Sequence, residues 1–164
     1  MPTTVRVATA ADRAFIIGLV PRLRAFGEPP LRPGDALDRV EREALEHALS
    51  TPRSDAVLLV AELDGVGPTG VAYAETATDY FTGERHGHLA ILIVDAAGEG
   101  QGVGSALLAA TEGWAAGRGY RFITLNVFAA NERARRVYER AGYAPDTVRY
   151  AKELPRSGGE APPG

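Results

Sequence analysis

The sequence predicts a mixed α/β fold, in which a mostly antiparallel sheet carries helices on both of its faces. Two observations predict it. In the middle of the chain, apolar runs over 56–63, 70–76 and 88–94 follow one another, which is typical of an antiparallel meander. The last third alternates helix and strand patterns instead, which is typical of a parallel βαβ unit. We therefore expect one sheet that contains both kinds of strand pairing.

Length and composition indicate one ordinary globular domain. The chain has 164 residues, of which 45% are hydrophobic and 24% are charged. Its net charge of -3 argues against nucleic acid as a partner. It contains no cysteine, which excludes disulfides, thiolate metal sites and an acyl-cysteine intermediate. No apolar run approaches membrane-spanning length, so we expect a cytoplasmic protein that binds neither membranes nor nucleic acid.

The N-terminal region is predicted to begin with a strand and a helix. Residues 4–8 alternate well enough for a short strand. Thr9 and Asp12 then resemble a capping box that opens a helix. The apolar positions of this helix keep helical spacing as far as Phe26, and Pro21 is expected to kink or divide it.

A proline-rich loop and a second helix follow. Three prolines within 27–34 predict the loop, and Asp35 can cap the helix that comes after it. We expect residues 1–154 to form a single domain. The later elements are predicted as strands over 56–63, 70–76 and 88–94, a helix over 102–116, a strand over 122–128, a helix capped by Asn131, a last strand over 147–154 and a disordered tail over 155–164.

A glycine run over 100–104 joins the strand that ends near Val94 to the next predicted helix. Alternate glycines leave backbone N–H groups able to close on a bulky anion at a helix start. The run lacks the spacing of a dinucleotide fingerprint, and no lysine stands where a P-loop requires one. On the loop alone, a tight strand-to-helix connection without a ligand remains the alternative.

Four motifs follow one another in order through the C-terminal half. They are Val94-Asp95, then Gly-Gln-Gly-Val-Gly-Ser-Ala-Leu, then Leu125-x-Val127, and finally Asn131-x-x-Ala134-x-x-x-Tyr138-Glu139-x-x-Gly142-Tyr143. This order resembles the GCN5-related N-acetyltransferase (GNAT) superfamily, specifically over 88–143. The resemblance implies an acyl-CoA N-acyltransferase fold whose sheet is splayed between the fourth and fifth strands. It also implies transfer of acetyl from acetyl-CoA to a primary amine of a small molecule or peptide.

The resemblance further implies which residues bind acetyl-CoA. A free backbone N–H near Ile93 or Val94 would polarise the thioester carbonyl. Asn131 and Tyr138 match positions near the pantetheine arm and the sulfur. The Tyr138 phenol, with a reference pKa of about 10, would protonate the departing thiolate. The residues expected to wrap the pyrophosphate are Gln101, Gly102, Val103, Gly104 and Ser105.

Two positions depart from the family pattern. Glu99 stands where the family has Gln or Arg, and its carboxylate would repel a pyrophosphate by about 1 kcal/mol at 4 Å in water. Ala90 stands where some relatives carry a glutamate base. His88, predicted on the same strand face as Ala90 and Leu92, is therefore the candidate general base. A solvated histidine at a strand entrance is the alternative, and we expect no metal because two histidines are too few ligands.

The resemblance implies an acceptor site flanked by the loop around 26–35 and by the segment over 76–86. Tyr80 and Phe81 offer apolar walls there, and Glu75 and Asp79 offer charge for a cationic amine and alternatives for the base. A polar surface loop with two aromatic anchors is the simpler interpretation. The competing function is a non-catalytic acyl-CoA-binding or regulatory module, and a homodimer is among the partners considered.

Overall fold

The computed structural model describes residues 2–25 and 29–158. Five strands form one sheet in the order β1-β2-β3-β4-β5, in which the first four are antiparallel and β4 and β5 are parallel. The predicted mixed sheet is therefore confirmed. The strands are β1 (Thr3–Val7), β2 (Ala56–Leu63), β3 (Gly67–Thr78), β4 (Arg85–Val94) and β5 (Ile123–Leu125). The helices are α1 (Arg13–Gly18), α2 (Gly34–Ser50), α3 (Val103–Gly117) and α4 (Glu132–Arg140).

The sheet buries an apolar layer on each face, because successive strand residues point to opposite sides. Leu58 and Val60 of β2 pack with the residues of α1 and α2, whereas Leu59 and Ala61 pack with α3. Helices therefore cover both faces, as the sequence predicts. No helix in the described ranges is long and apolar enough to cross a membrane.

Two strand glycines allow α3 to lie close against the sheet. A Cβ atom at Gly70 would stand 2.9 Å from side-chain atoms of both Leu107 and Val103. A Cβ atom at Gly87 would stand 3.0 Å from the Cβ atom of Ala115. Both distances are shorter than an ordinary carbon–carbon contact, so a larger residue would push the helix outward.

A register shift in the β3–β4 ladder changes which side chains of β4 share a face. Tyr73 pairs with Ile91 and Ala74 pairs with Leu89, which leaves Ala90 as an extra residue. Leu89 packs on the α3 side and Ile91 on the α1–α2 side.

The bulge corrects one sequence prediction. His88, which alternates with Leu89, lies on the face that carries Ile91. Leu92 packs with the residues of α3 on the opposite face. The expectation that His88 and Leu92 share a face is therefore wrong, because the extra residue inverts the alternation.

The sheet opens between β4 and β5, as the family resemblance implies. β5 pairs with β4 only from Gly87↔Ile123 to Leu89↔Leu125. From Ala90 onward, β4 has a neighbouring strand only on its β3 side in the described part of the chain. The predicted strand over 122–128 is accordingly shortened to three residues, because β4 no longer lies beside it.

The N-terminal predictions hold in part. The Thr9 N–H donates to Asp12 Oδ2 at 2.8 Å, which confirms this part of the capping arrangement. The expected division of the helix is confirmed: α1 ends at Gly18, and Pro21 lies within a 3-10 helix, Val20–Arg24. Proline lacks the N–H that would continue an α-helix. Phe26 lies outside the described residues.

The predicted cap of α2 and the predicted last strand are both wrong. Pro33 is the N-cap of α2, and Asp35 lies in the first turn, where its charge favours the helix dipole. Residues 144–156 form neither helix nor strand, and Val148 and Tyr150 are 69% and 91% exposed. Their alternation is typical of a strand, but none of the five strands in the described ranges pairs with them to satisfy their backbone groups. Residues 159–164 of the expected tail lie outside the described residues.

Candidate functional site

The second half of β4 directs backbone groups towards the gap between β4 and β5. The Asp95 N–H donates to the Thr69 carbonyl at 2.8 Å, which fixes the hydrogen-bonding alternation of the ladder. By that alternation, Ile93 directs its backbone groups to β3, and Val94 directs its groups to the open edge. The Val94 carbonyl accepts from Arg22 Nε at 2.9 Å, which agrees with this orientation. The register therefore favours Val94 over Ile93 as the residue with an available N–H.

Leu92 shares the orientation of Val94, since it lies two residues earlier on the same strand. Two backbone N–H groups therefore point to the open edge beyond the last β5 pair, Leu89↔Leu125. Such unpaired amides are suited to bind a carbonyl oxygen or an amide of an extended ligand.

The glycine loop continues directly from this edge. A 3-10 helix, Ala96–Gly98, follows β4, and Gly100 and Gly102 have φ angles of 71° and 79°. These angles fall in the left-handed region, which residues with a Cβ atom adopt at a cost. Gly102 is also the N-cap of α3 and supplies no side-chain cap.

The loop leaves several backbone N–H groups unused at the start of α3. The Ala106 N–H donates to the Gly102 carbonyl, so it is the first N–H bonded within the helix. The amides of Val103, Gly104 and Ser105 precede it and have no intrahelical partner. The Gln101 N–H instead donates to the Gly98 carbonyl at 3.2 Å, so it is already bonded. Three of the five predicted loop residues thus present amides suited to an anion.

Glu99, the residue that departs from the family pattern, lies between two arginines. Its Oε1 atom accepts from Arg22 Nη2, and its Oε2 atom lies 3.4 Å from Arg133 Nη2. Arg22 comes from the 3-10 helix after α1, and Arg133 from the first turn of α4. The carboxylate beside the loop is therefore offset by two positive charges.

His88 lies where the pairing between β4 and β5 is about to end. Its Nδ1 atom is 2.8 Å from Thr124 Oγ1, and its Cα partner across β3 is Glu75. Burial lowers the pKa of His88, His86 lowers it further, and the negative charge of Glu75 opposes the shift. The imidazole is therefore largely neutral at pH 7, the form that a base requires.

The two alternative bases, Glu75 and Asp79, differ in how strongly other residues bind their carboxylates. Glu75 Oε2 lies 3.4 Å from Arg53 Nη1, a loose and partly exposed ion pair. Asp79 Oδ2 accepts from both the N–H and the hydroxyl of Thr82, and these bonds lower the pKa of Asp79. Asp79 is thus committed to the hairpin turn, while Glu75 borders His88.

Tyr138 lies on α4 and packs against the apolar layer formed with α3. Its ring meets the Tyr143 ring edge-on, with 6.0 Å between centroids. Burial raises the pKa of Tyr138, so the phenol keeps its proton at neutral pH. Asn131 Oδ1 accepts from the Ala134 N–H at 3.1 Å, which confirms its role as the α4 cap. Its position near a pantetheine arm stays a prediction.

Tyr80 and Phe81 lie at the tip of the β3–β4 hairpin. Their side chains are 92% and 82% exposed, and their rings contact each other edge-on at 5.3 Å. The hairpin adjoins the start of β4, whereas the open edge begins at Ala90 and ends at Val94, roughly 17 to 30 Å further along the strand. The structure therefore does not bring this aromatic pair to the open edge.

Comparison with protein families identifies the family of the chain that carries this site. The model of the acetyltransferase (GNAT) family matches residues 24–143. The chain belongs to the acetyltransferase (GNAT) family. The matched range contains β2 to β5 together with the glycine loop and α4. The family uses acetyl-CoA as the acyl donor, and this GNAT chain is accordingly an acetyltransferase.

Solved structures share the fold of this GNAT chain. A putative acetyl transferase from Pyrococcus furiosus is 22% identical with a TM-score of 0.73, covering 93% of this chain and all of that one. AAC(6')-Iy, solved with the bisubstrate analog CoA-S-monomethyl-acetylneamine, is 21% identical with a TM-score of 0.67 over 94% of this chain and 100% of its own. The ribosomal-protein-alanine N-acetyltransferase from Brucella melitensis biovar Abortus 2308 gives the same identity, TM-score and coverage. No curated protein matches the chain.

Reasoning from the sequence missed Arg22, which contacts Glu99 beside the loop. Arg22 belongs to no motif and is 77 positions from Glu99. A carboxylate beside a loop expected to bind an anion was the available signal, because a buried or crowded charge requires a partner. No group of three or more His, Asp or Glu suited to a metal occurs in the described ranges.

Proposed function

We propose that this GNAT protein transfers acetyl from acetyl-CoA to a primary amine of a small molecule or peptide, by direct attack in a ternary complex. One observation carries the proposal. The unpaired edge of β4 runs directly into a glycine loop whose helix amides have no partner within the helix. An extended arm that ends in a pyrophosphate matches such an edge and loop.

The amides of Val103, Gly104 and Ser105 would bind the pyrophosphate, because helix N-termini favour anions. The Val94 N–H would donate to the thioester oxygen, where negative charge develops during amine attack. Both groups belong to rigid elements, so they are held in place before the reaction. Gln101, Gly102 and Asn131 complete the proposed donor site, and Ile93 contributes the strand that holds Val94.

Proton transfer is assigned to two side chains. Tyr138 would protonate the departing thiolate, since its raised pKa keeps the phenol protonated. His88 would accept a proton from the ammonium form of the acceptor, directly or through water, since its lowered pKa keeps the imidazole neutral. Glu75, the cross-strand partner of His88, is the alternative base.

The acceptor class is left as a primary amine. Two of the three neighbours named above differ in their acceptors, one being bound to an acetylneamine analog and the other named for acting on a ribosomal protein. Loops of different sequence on one fold select different substrates. We propose Glu75, Tyr80 and Phe81 as acceptor contacts, with the aromatic pair suited to the distal part of a long acceptor. A cytoplasmic location and a homodimer remain part of the proposal.

Thiol release from acetyl-CoA tests this function across polyamines, aminoglycosides, amino acids and peptide N-termini. At least one amine is expected to raise thiol release well above the hydrolysis rate. Binding of acetyl-CoA without thiol release for any amine would favour a non-catalytic acyl-CoA module. No binding of acetyl-CoA at millimolar concentration would reject the donor site itself.

A further inference from the structure

The carboxylate of Glu99 adjoins the loop that should bind a pyrophosphate. Alone, it would weaken the binding of any anion there, because like charges repel. Glu99 is not alone, since Arg22 and Arg133 contact its two oxygens from different elements. The three side chains together carry a net charge of about +1, because the two guanidinium groups remain protonated.

Arg22 is held from two sides. Its Nε atom donates to the Val94 carbonyl at 2.9 Å, and its Nη2 atom donates to Glu99. Its Nη1 atom makes no hydrogen bond to any residue in 2–25 or 29–158. The guanidinium is thus fixed in orientation and retains donor capacity, while its side chain is 28% exposed.

The two anchors of Arg22 border the proposed donor site. Val94 is the last residue of the open edge of β4, and Glu99 precedes the two glycines of the loop with positive φ. A guanidinium that spans these residues lies between the proposed thioester end and the proposed pyrophosphate end. Its fork of N–H groups is suited to phosphate oxygens.

We propose that Arg22 supplies the cation that binds the donor's pyrophosphate, and that Glu99 is a positioning residue that holds Arg22 over the loop. This inference rests on the proposed function. Glu99, which is unfavourable for anion binding when judged from the sequence, is then part of the donor site. Without Arg22, the same carboxylate would oppose the anion.

Calorimetric titration with acetyl-CoA tests the pair through Arg22→Gln, Glu99→Gln and the double variant. Arg22→Gln is expected to weaken binding at least tenfold, roughly the value of one charge-assisted hydrogen bond. Glu99→Gln alone should change affinity by less than about threefold, because lost positioning offsets lost repulsion. In the Arg22→Gln background, the same change should improve affinity, because the carboxylate there is partly uncompensated.

Arg13→Gln is the matched control, since Arg13 forms an ion pair with Glu46 between α1 and α2. It removes the same charge and should leave the acetyl-CoA affinity within about twofold of the wild type. Arg22→Lys keeps the charge and should bind with intermediate affinity. Thermal unfolding of each variant separates a folding defect from a binding defect.

Acetyl-dephospho-CoA, which keeps the pyrophosphate and lacks the 3′-phosphate, identifies the phosphate involved. A parallel loss with both donors is expected for Arg22→Gln, and a loss confined to acetyl-CoA would overturn the pyrophosphate assignment. Wild-type affinity in Arg22→Gln, or an equal gain from Glu99→Gln in both backgrounds, would reject the inference while leaving the proposed function intact. Wild-type protein that binds no acetyl-CoA would reject both.

Discussion

The two halves of β4 differ in what surrounds them, although they belong to one strand. From Gly87 to Leu89, the strand is paired on both sides, with β3 and with β5. From Ile91 to Val94, it is paired with β3 alone among the described strands, and Ala90 is the unpaired bulge residue between the two halves. The first half therefore has its backbone hydrogen bonds satisfied within the sheet. In the second half, the backbone N–H and C=O groups that point away from β3 are not paired by a described strand.

The closed half of β4 therefore contributes to stability, whereas the open half, a few residues away, contributes to the proposed function. The closed half needs Gly87 so that α3 can pack against it. The open half leads into Gly100 and Gly102, which face open space and are needed for their backbone angles. Glycine is thus used for close packing in one half and for loop conformation beyond the other.

The largest expected effect concerns Tyr138, the proposed proton donor to the departing thiolate of a ligand bound at the open half. Tyr138→Phe should lower kcat about 100-fold and leave the KM for acetyl-CoA within about twofold, because only the phenol proton is removed. Steady-state thiol release with an accepted amine measures both constants. Tyr143→Phe is the control, since it removes only the hydroxyl of the ring that packs edge-on against Tyr138. An unchanged kcat for Tyr138→Phe would assign Tyr138 to packing.

The next effect concerns the boundary between the halves, where His88 lies. Burial lowers the pKa of His88 below its usual 6.5, so kcat/KM should fall only as the pH decreases below that value. His88→Gln should remove this acidic limb and lower the rate at pH 7 roughly tenfold or more.

Glu75→Gln distinguishes the two candidate bases. Since the charge of Glu75 raises the pKa of His88, its removal should shift the acidic limb to lower pH. Loss of the limb in Glu75→Gln, together with its persistence in His88→Gln, would make Glu75 the base. Rate profiles between pH 5 and pH 9 separate these outcomes.

A smaller effect is expected at the loop beyond the open half. Gly102→Ala places a Cβ atom on a residue with φ of 79° and should cost about 1–2 kcal/mol of stability. It should also weaken acetyl-CoA binding roughly tenfold, because the first amides of α3 shift. Gly65→Ala imposes the same strain at φ of 75° in the β2–β3 turn and should leave binding unchanged. Equal acetyl-CoA affinities for Gly102→Ala and Gly65→Ala would indicate that the loop is not part of the donor site.

The smallest effect on binding is expected in the closed half. Gly87→Ala would place a Cβ atom 3.0 Å from Ala115 and lower the free energy of unfolding by about 1–3 kcal/mol. Chemical denaturation measures that loss, and calorimetry should return a nearly unchanged Kd for acetyl-CoA. A large change in Kd without loss of stability would contradict the division between the halves.

The fold and the loop could be predicted because they depend on local patterns. Apolar runs, alternate glycines and the Asn131 cap each act within a few residues. The sequence could not predict that His88 and Leu92 lie on opposite faces of the sheet, since one bulge residue, Ala90, inverts the alternation after it. The strand predicted over 147–154 failed because alternation does not supply a neighbouring strand.

The candidate site was predictable from the sequence to the same extent as the fold. The residues of the loop and of α4 lie within motifs, whereas the contact between Arg22 and Glu99 joins positions 77 apart. Such a contact depends on how the 3-10 helix after α1 packs over the end of β4. Only the folded chain reveals that the unfavourable carboxylate is compensated.

Mapping of backbone amide shifts during titration with acetyl-CoA tests the central claim most directly. The account predicts that the amides of Leu92, Val94, Val103, Gly104 and Ser105 shift together at saturating ligand. It also predicts that those of Gly87 and Leu89 barely change. Shifts confined to the closed half, or none at millimolar acetyl-CoA, would contradict the claim that the open half of β4 and its loop form the donor site.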